Sequence, residues 1–145
     1  MNLVQTKKEM QSIFKRNILA FENELMQYEQ LKIEPEHIFL PGLYCRTLKM
    51  PKGAILTSRF HKYENITMVT EGSAIVSMVD GVQRIDAPHK MISPAGAKRA
   101  LYIIEDSTWT TFHPIPLHIT TVEEVEKYLT VDSFEEIEKF LEVKV

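Results

Sequence analysis

All five glycines and all seven prolines fall between Pro35 and Pro116, so the first 34 residues and everything after Pro116 are free of the two residue types that interrupt a helix. That distribution dictates an order of helix, turn-rich centre, helix. Charge divides along the same lines. The segment before Pro35 carries five basic and five acidic residues, the centre nine and seven, and the remainder three and eight, so the formal net charge of -3 is a +2 centre joined to a -5 tail. At 145 residues the chain reads as a single domain, 1–145, able to bury roughly 68 % of its unfolded surface without metal or disulfide support. No apolar run reaches the 18 residues a membrane span requires, so no membrane partner is expected. The N-terminal stretch lacks the basic-then-apolar order of a secretory signal, and Cys45 is the only cysteine, which excludes an internal disulfide and any cysteine-cluster metal site. Both features fit a reducing cytoplasm. The acidic balance argues against a nucleic-acid polymer as partner, though not against a small basic pocket.

The first helix is expected over 6–29, opened by a capping box of Thr6 and Glu9. Met10, Phe14, Ile18, Phe21, Leu25 and Tyr28 recur at three- or four-residue spacing and form its apolar face. Two short helices are expected over 120–143, with Thr121 and Glu124 capping one and Ser133 and Glu136 the other. The acids that make the tail negative crowd those first turns, where the helix dipole favours them.

Between the helices the pattern becomes short apolar runs with turn signals about every ten residues, the rhythm of an antiparallel sandwich or barrel. Strands are expected at 43–50, 54–61, 66–70, 74–79, 82–85, 90–93, 99–104 and 108–113. Asp80-Gly81 signals a two-residue hairpin with positive φ at both positions. Pro51-Lys-Gly53, Glu71-Gly72 and Pro94-Ala-Gly96 read as three further reversals.

The spacing of the central segment is specific. Gly53, five residues, Arg59-Phe-His61, three residues, Asn65, six residues and Gly72 form one string; Pro88, five residues, Pro94-Ala-Gly96, two residues, Arg99, three residues and Ile103 form a second. Both resemble the motifs of the cupin superfamily, in which the first reads G-x5-H-x-H-x(3 or 4)-E-x6-G and the second G-x5-P-x-G-x2-H-x3-N. The resemblance implies a mainly β fold, a cupin-like antiparallel β-barrel over 42–113 carrying the N-terminal helix and the two C-terminal ones. Through Gly42-Leu-Tyr44-Cys-Arg46, His61-Lys62, Pro94-Ala-Gly96-Ala-Lys98-Arg99 and Trp109-x-Thr111-x-His113 the chain also resembles small cupin-like proteins of bacteriophages.

The departures from the motif carry the functional reading. The three histidines and one glutamate that hold a metal in many cupins fall here on Arg59, His61, Asn65 and Arg99. Only His61 survives of the motif's ligands, and because a guanidinium has no lone pair to donate, that metal site cannot form from these four residues. No cofactor is therefore expected, unless a displaced divalent-metal site forms from His61, Glu64 and His113. Arg59 and His61 are two apart on one expected strand and share a face, and the cupin register turns that face and Arg99 inward. Two guanidinium forks and an imidazole make a donor set for a phosphate or carboxylate. Tyr44 with Arg46, or Trp109 with Thr111 and His113, would complete such a pocket, since each set alternates in phase. The plainer reading is that Arg59 pairs with Glu64 or Glu71 and closes the barrel mouth. His37, His89 and His118 sit beside prolines or in turns and carry no specific signal.

The expected function is a non-catalytic binder of a small anion, a nucleotide or phosphorylated sugar; the phage resemblance adds sequestration of a host defence signal in a host cytoplasm. The alternatives are a metal-dependent or sugar-nucleotide-modifying cupin enzyme, with His61 as base and a tyrosine as acid in the metal-free case, and a phage structural or assembly protein. Three amphipathic helices exceed what one small barrel covers, so a homodimer is expected.

Overall fold

The computed structural model describes residues 3–143, with side chains for 9–142. Helix α1 (Leu3–Leu25) leads into strands β1 (Glu36–Leu40), β2 (Leu43–Met50), β3 (Ile55–Thr57), β4 (Phe60–His61), β5 (Asn65–Met78), β6 (Gly81–Asp86), β7 (His89–Ser93) and β8 (Ala100–Pro114). Helix α2 (Val122–Leu129), strand β9 (Thr130–Val131) and helix α3 (Phe134–Val143) complete it. One antiparallel sheet runs β1-β2-β8-β5-β6, with β3 added to β8 and β7 to β5; β4 pairs with β9 as a separate ribbon.

Helix α1 is helical from Leu3, three residues before the expected start, and the Thr6 side chain lies outside the described residues. It stops at Leu25 rather than running to 29. Gln27 and Tyr28 bond back three residues, to the Glu24 and Leu25 carbonyls, and the Gln30 side-chain amide donates to the Leu25 and Tyr28 carbonyls, so the last turn tightens and ends. Of the expected apolar face Ile18 is buried, while Met10 and Tyr28 at its ends are exposed. Lys98, with only 6 % of its side chain exposed, fastens this helix to the barrel: its Nζ lies 2.9 Å from Glu22 Oε1, donates to the Ser58 carbonyl at 2.8 Å and sits 4.7 Å from the Phe60 ring centroid.

The largest correction concerns Gly72. The expected strands 66–70 and 74–79 are one strand, β5, and 99–104 and 108–113 are one strand, β8. The chain does not reverse at Glu71-Gly72; the β5–β8 ladder runs through, shifting register between Val69 and Ala74. Gly72 takes φ +87°, and a Cβ there would collide with the Asp106 carbonyl and Ser107. The glycine therefore allows two backbones to approach at a bulge that bends both strands together. The other reversals occur as expected at Gly53 and Gly96. The β5–β6 hairpin also forms, but its loop is Val79-Asp80 and positive φ occurs only at Gly81, where the turn closes.

Strands β1 and β9 lack a sequence signal, since each is defined by its partner: Glu36 to Leu40 against Thr47 to Leu43, and Thr130-Val131 against His61-Phe60. The expected strand 54–61 is interrupted because Ser58 and Arg99 bond each other, Ser58 N–H to the Arg99 carbonyl and Arg99 N–H to Ser58 Oγ. Beyond that point the chain leaves β8 and pairs with the tail. Both tail caps form, Thr121 Oγ1 accepting the Glu124 N–H and Ser133 Oγ the Glu136 N–H. Each hydroxyl donates onward to the glutamate carboxylate, so the reciprocal half of each box is a side-chain bond. Two apolar clusters result: one within the barrel around Met50, Val69, Val76, Ile103 and Trp109, the other joining Tyr44 to Ile115, Ile119, Val125 and Leu129 of the tail.

Candidate functional site

A cavity of about 270 Å³ lies between those two clusters. Its wall on β2 and β8 follows from register. Tyr44 stands opposite His113, Arg46 opposite Thr111 and Leu48 opposite Trp109, and all six side chains line the cavity. Each strand alternates with period two, so a single inward residue puts the whole in-phase series inward. The two sets that the sequence offered as alternatives are therefore the two halves of one wall. Arg59, His61 and Arg99 line the same cavity, although Arg59 lies in the gap between β3 and β4 and Arg99 immediately before β8, rather than on strands.

The three arginines differ in their partners. Arg59 is committed to the tail, its Nη2 at 2.8 Å and its Nε at 3.0 Å from Asp132 Oδ1. Its carboxylate partner is Asp132 rather than Glu64 or Glu71; Glu71 instead accepts from Thr108. Arg99 is 8 % exposed, and its Nη2 donates to Ser93 Oγ at 2.8 Å while its Nε meets Met78 Sδ at 3.4 Å. Burial pulls its pKa below the ordinary value, yet guanidinium remains charged at neutral pH. Among the described residues no carboxylate lies within ion-pair distance of Arg99 or of Arg46.

The imidazoles are neutral at pH 7. Burial first, then His113 and the arginines Arg46, Arg99 and Arg59, push His61 down to about 4; burial and Arg46 bring His113 to about 4 as well. Their ring centroids are 5.8 Å apart, and His113 Nε2 is hydrogen-bonded to Thr111 Oγ1 at 2.8 Å. Tyr44 stacks on His113, and burial raises its pKa.

The metal set proposed from sequence does not assemble. Glu64 is exposed and outside the cavity wall, because it precedes β5 on the outward side, and no group of three or more His, Cys, Asp or Glu side chains among the described residues is placed to hold a metal ion. With arginines at two of the remaining motif positions and an asparagine at the third, the donor set does not fit a cupin metal centre.

Sequence reading missed three contributions. His37 holds the Tyr44 hydroxyl at 2.6 Å from its Nδ1, made possible by β1, which has no sequence signature. Thr67 of β5 lines the cavity opposite Thr111, a placement implicit in the β5–β8 register. Val125, Glu126, Leu129 and Thr130 supply the wall from α2 and β9, a contact that no local pattern encodes.

No family model matches the chain, and no curated protein matches it. Solved structures do. A protein from Neisseria meningitidis is 14 % identical with a TM-score of 0.50, covering 65 % of this chain and 95 % of its own. A cupin superfamily protein from Desulfitobacterium hafniense is 10 % identical with a TM-score of 0.50, covering 63 % and 85 %. The cupin-2 domain of an XRE family transcriptional regulator from Enterobacter cloacae is 10 % identical with a TM-score of 0.50, covering 59 % and 99 %. The chain has the cupin fold, mostly β with antiparallel sheets and three helices. Among the described residues no helix is long and apolar enough to cross a membrane.

Proposed function

We propose that the protein is a non-catalytic cupin-fold binder of a small anion carrying an apolar or aromatic body, a nucleotide or phosphorylated sugar being the biological class. One observation carries this reading: Arg46 and Arg99 face one cavity with no carboxylate within ion-pair distance among the described residues. Enclosed cations without a counter-ion in contact are costly; Glu126, the one carboxylate in the wall among the described residues, is exposed and forms an ion pair with neither arginine, so an anionic ligand would supply the missing contact. The apolar side chains of Leu48, Leu101 and Trp109 in the same wall suit the ligand's body. His61 and His113, neutral and neighbouring, add hydrogen-bonding nitrogens. In a phage-encoded setting such a site would serve to sequester a host signal.

Calorimetric titration tests the reading with phenyl phosphate as the smallest probe joining phosphate to an apolar ring, followed by nucleoside and sugar phosphates. Arg99→Ala and Arg46→Ala are expected to weaken binding tenfold or more, a loss consistent with charged hydrogen bonds worth about 1.5–3 kcal/mol each. Arg59→Ala, whose charge Asp132 already answers, is expected to weaken it less than threefold. A parent protein that binds phenyl phosphate no better than phenol overturns the reading.

A further inference from the structure

Behind Arg99 runs a row of buried polar groups. Arg99 Nη2 donates to Ser93 Oγ at 2.8 Å, Ser93 Oγ and Thr67 Oγ1 are 2.9 Å apart, and Thr67 Oγ1 donates to Asn65 Oδ1 at 3.1 Å. With the Asn65 amide oxygen facing Thr67, the directions follow. Thr67 has one hydroxyl proton and gives it to Asn65, so the proton between the two hydroxyls comes from Ser93, whose oxygen is left to accept from the guanidinium. Ser93, Thr67 and Asn65 are all at least 97 % buried.

This chain begins on a cation and ends on an uncharged amide. Three of the five guanidinium N–H groups of Arg99 have no partner among the described residues, one being used on Ser93 and one on Met78. At the far end, Asn65 Nδ2 is buried without a hydrogen-bond partner among the described residues. An amide there accepts the Thr67 proton as a carboxylate would, while contributing no negative charge to the neighbourhood of Arg99.

We propose that Ser93 and Thr67 are positioning residues that aim the Arg99 guanidinium, and that Asn65 determines specificity by keeping that guanidinium free of an internal counter-charge. This rests on the anion reading of the cavity. A carboxylate at position 65 would accept the same Thr67 proton and would compete, from inside the protein, with the ligand's charge for Arg99.

The test is isothermal titration of the full chain with phenyl phosphate, using Asn65→Asp, Thr67→Val and Thr67→Ser. Emission from Trp109, the sole tryptophan and part of the cavity wall, reports whether each variant keeps its fold. Asn65→Asp is expected to weaken binding at least tenfold and Thr67→Val about fivefold. Thr67→Ser, which restores the hydroxyl without the methyl group, is expected to bind within twofold of the parent. Parent-like binding by Asn65→Asp or Thr67→Val overturns the proposal. So does a Thr67→Ser variant as weak as Thr67→Val, which assigns Thr67 a packing role. Should Asn65→Asp fail to fold, the two Thr67 variants decide. A parent that does not bind phenyl phosphate removes the anion reading and this inference with it, whereas a binding parent with insensitive variants removes the inference alone.

Discussion

Acidification from pH 7.5 to 5 is expected to destabilise this protein through His61 and His113. Each imidazole titrates at about 4 in the folded chain against 6.5 for the ordinary group. The unfolded chain therefore takes up protons below pH 6.5 that the folded chain refuses until about pH 4. Stability is complete above that window, falls through it and levels off below it. At pH 5 the difference corresponds to about 2 kcal/mol for each histidine, and it approaches about 3.4 kcal/mol each below pH 4. The two titrate against each other, so about 4 kcal/mol at pH 5 is the scale of the joint effect. Most carboxylates remain ionised over this range, which isolates the imidazoles. Urea unfolding at pH 7.5 and 5 gives the measurement, with His113→Gln retaining a polar group but not the titration. That variant should lose about half as much stability on acidification as the parent. A variant that loses as much as the parent, or His61 and His113 resonances titrating near 6.5 in the folded protein, would refute the reasoning.

Gly72→Ala should cost about 2–4 kcal/mol in chemical denaturation, because the new Cβ meets the Asp106 carbonyl at a backbone held at φ +87°; a neutral outcome would mean that the β5–β8 bulge is not built as described. Lys98→Met should cost about 1–3 kcal/mol, reduced from a fully buried pair because Glu22 is partly exposed, and should raise hydrogen exchange in α1 while phenyl phosphate binding persists. Equal protection of α1 in both proteins would count against the Glu22–Lys98 fastening. The homodimer expectation rests on apolar surface such as Ile13 and Leu19 of α1, which remains exposed, and light scattering should return twice the 16.8 kDa chain mass. A monomer mass would remove it.

Much of the site was legible because β-strand alternation is strict. Once Tyr44 and Arg46 are placed in phase on one strand, and Trp109, Thr111 and His113 on another, only the relative facing remains open, and pairing Tyr44 with His113 closes that choice. Motif spacing likewise marks His61, Arg59 and Arg99. What it could not assign was the partner of each charge. Arg59 is separated from Asp132 by more than seventy residues, and the ion pair depends on the tail returning to lay β9 against β4. Gly72 shows the same limit within the barrel. Its φ was legible as special, but whether it turns the chain back or bends it forward depends on what the facing strand does at Ser107.

By itself the sequence determined the order of helix, β centre and helix, the caps of the tail helices, and the replacement of metal ligands by arginines, because each is set by local residue chemistry and spacing. The tertiary structure alone decided which arginine is neutralised and which stays open, and that the tail forms one wall of the cavity. Those outcomes depend on distances between residues far apart in the chain, and electrostatic energy follows distance in space rather than separation in sequence.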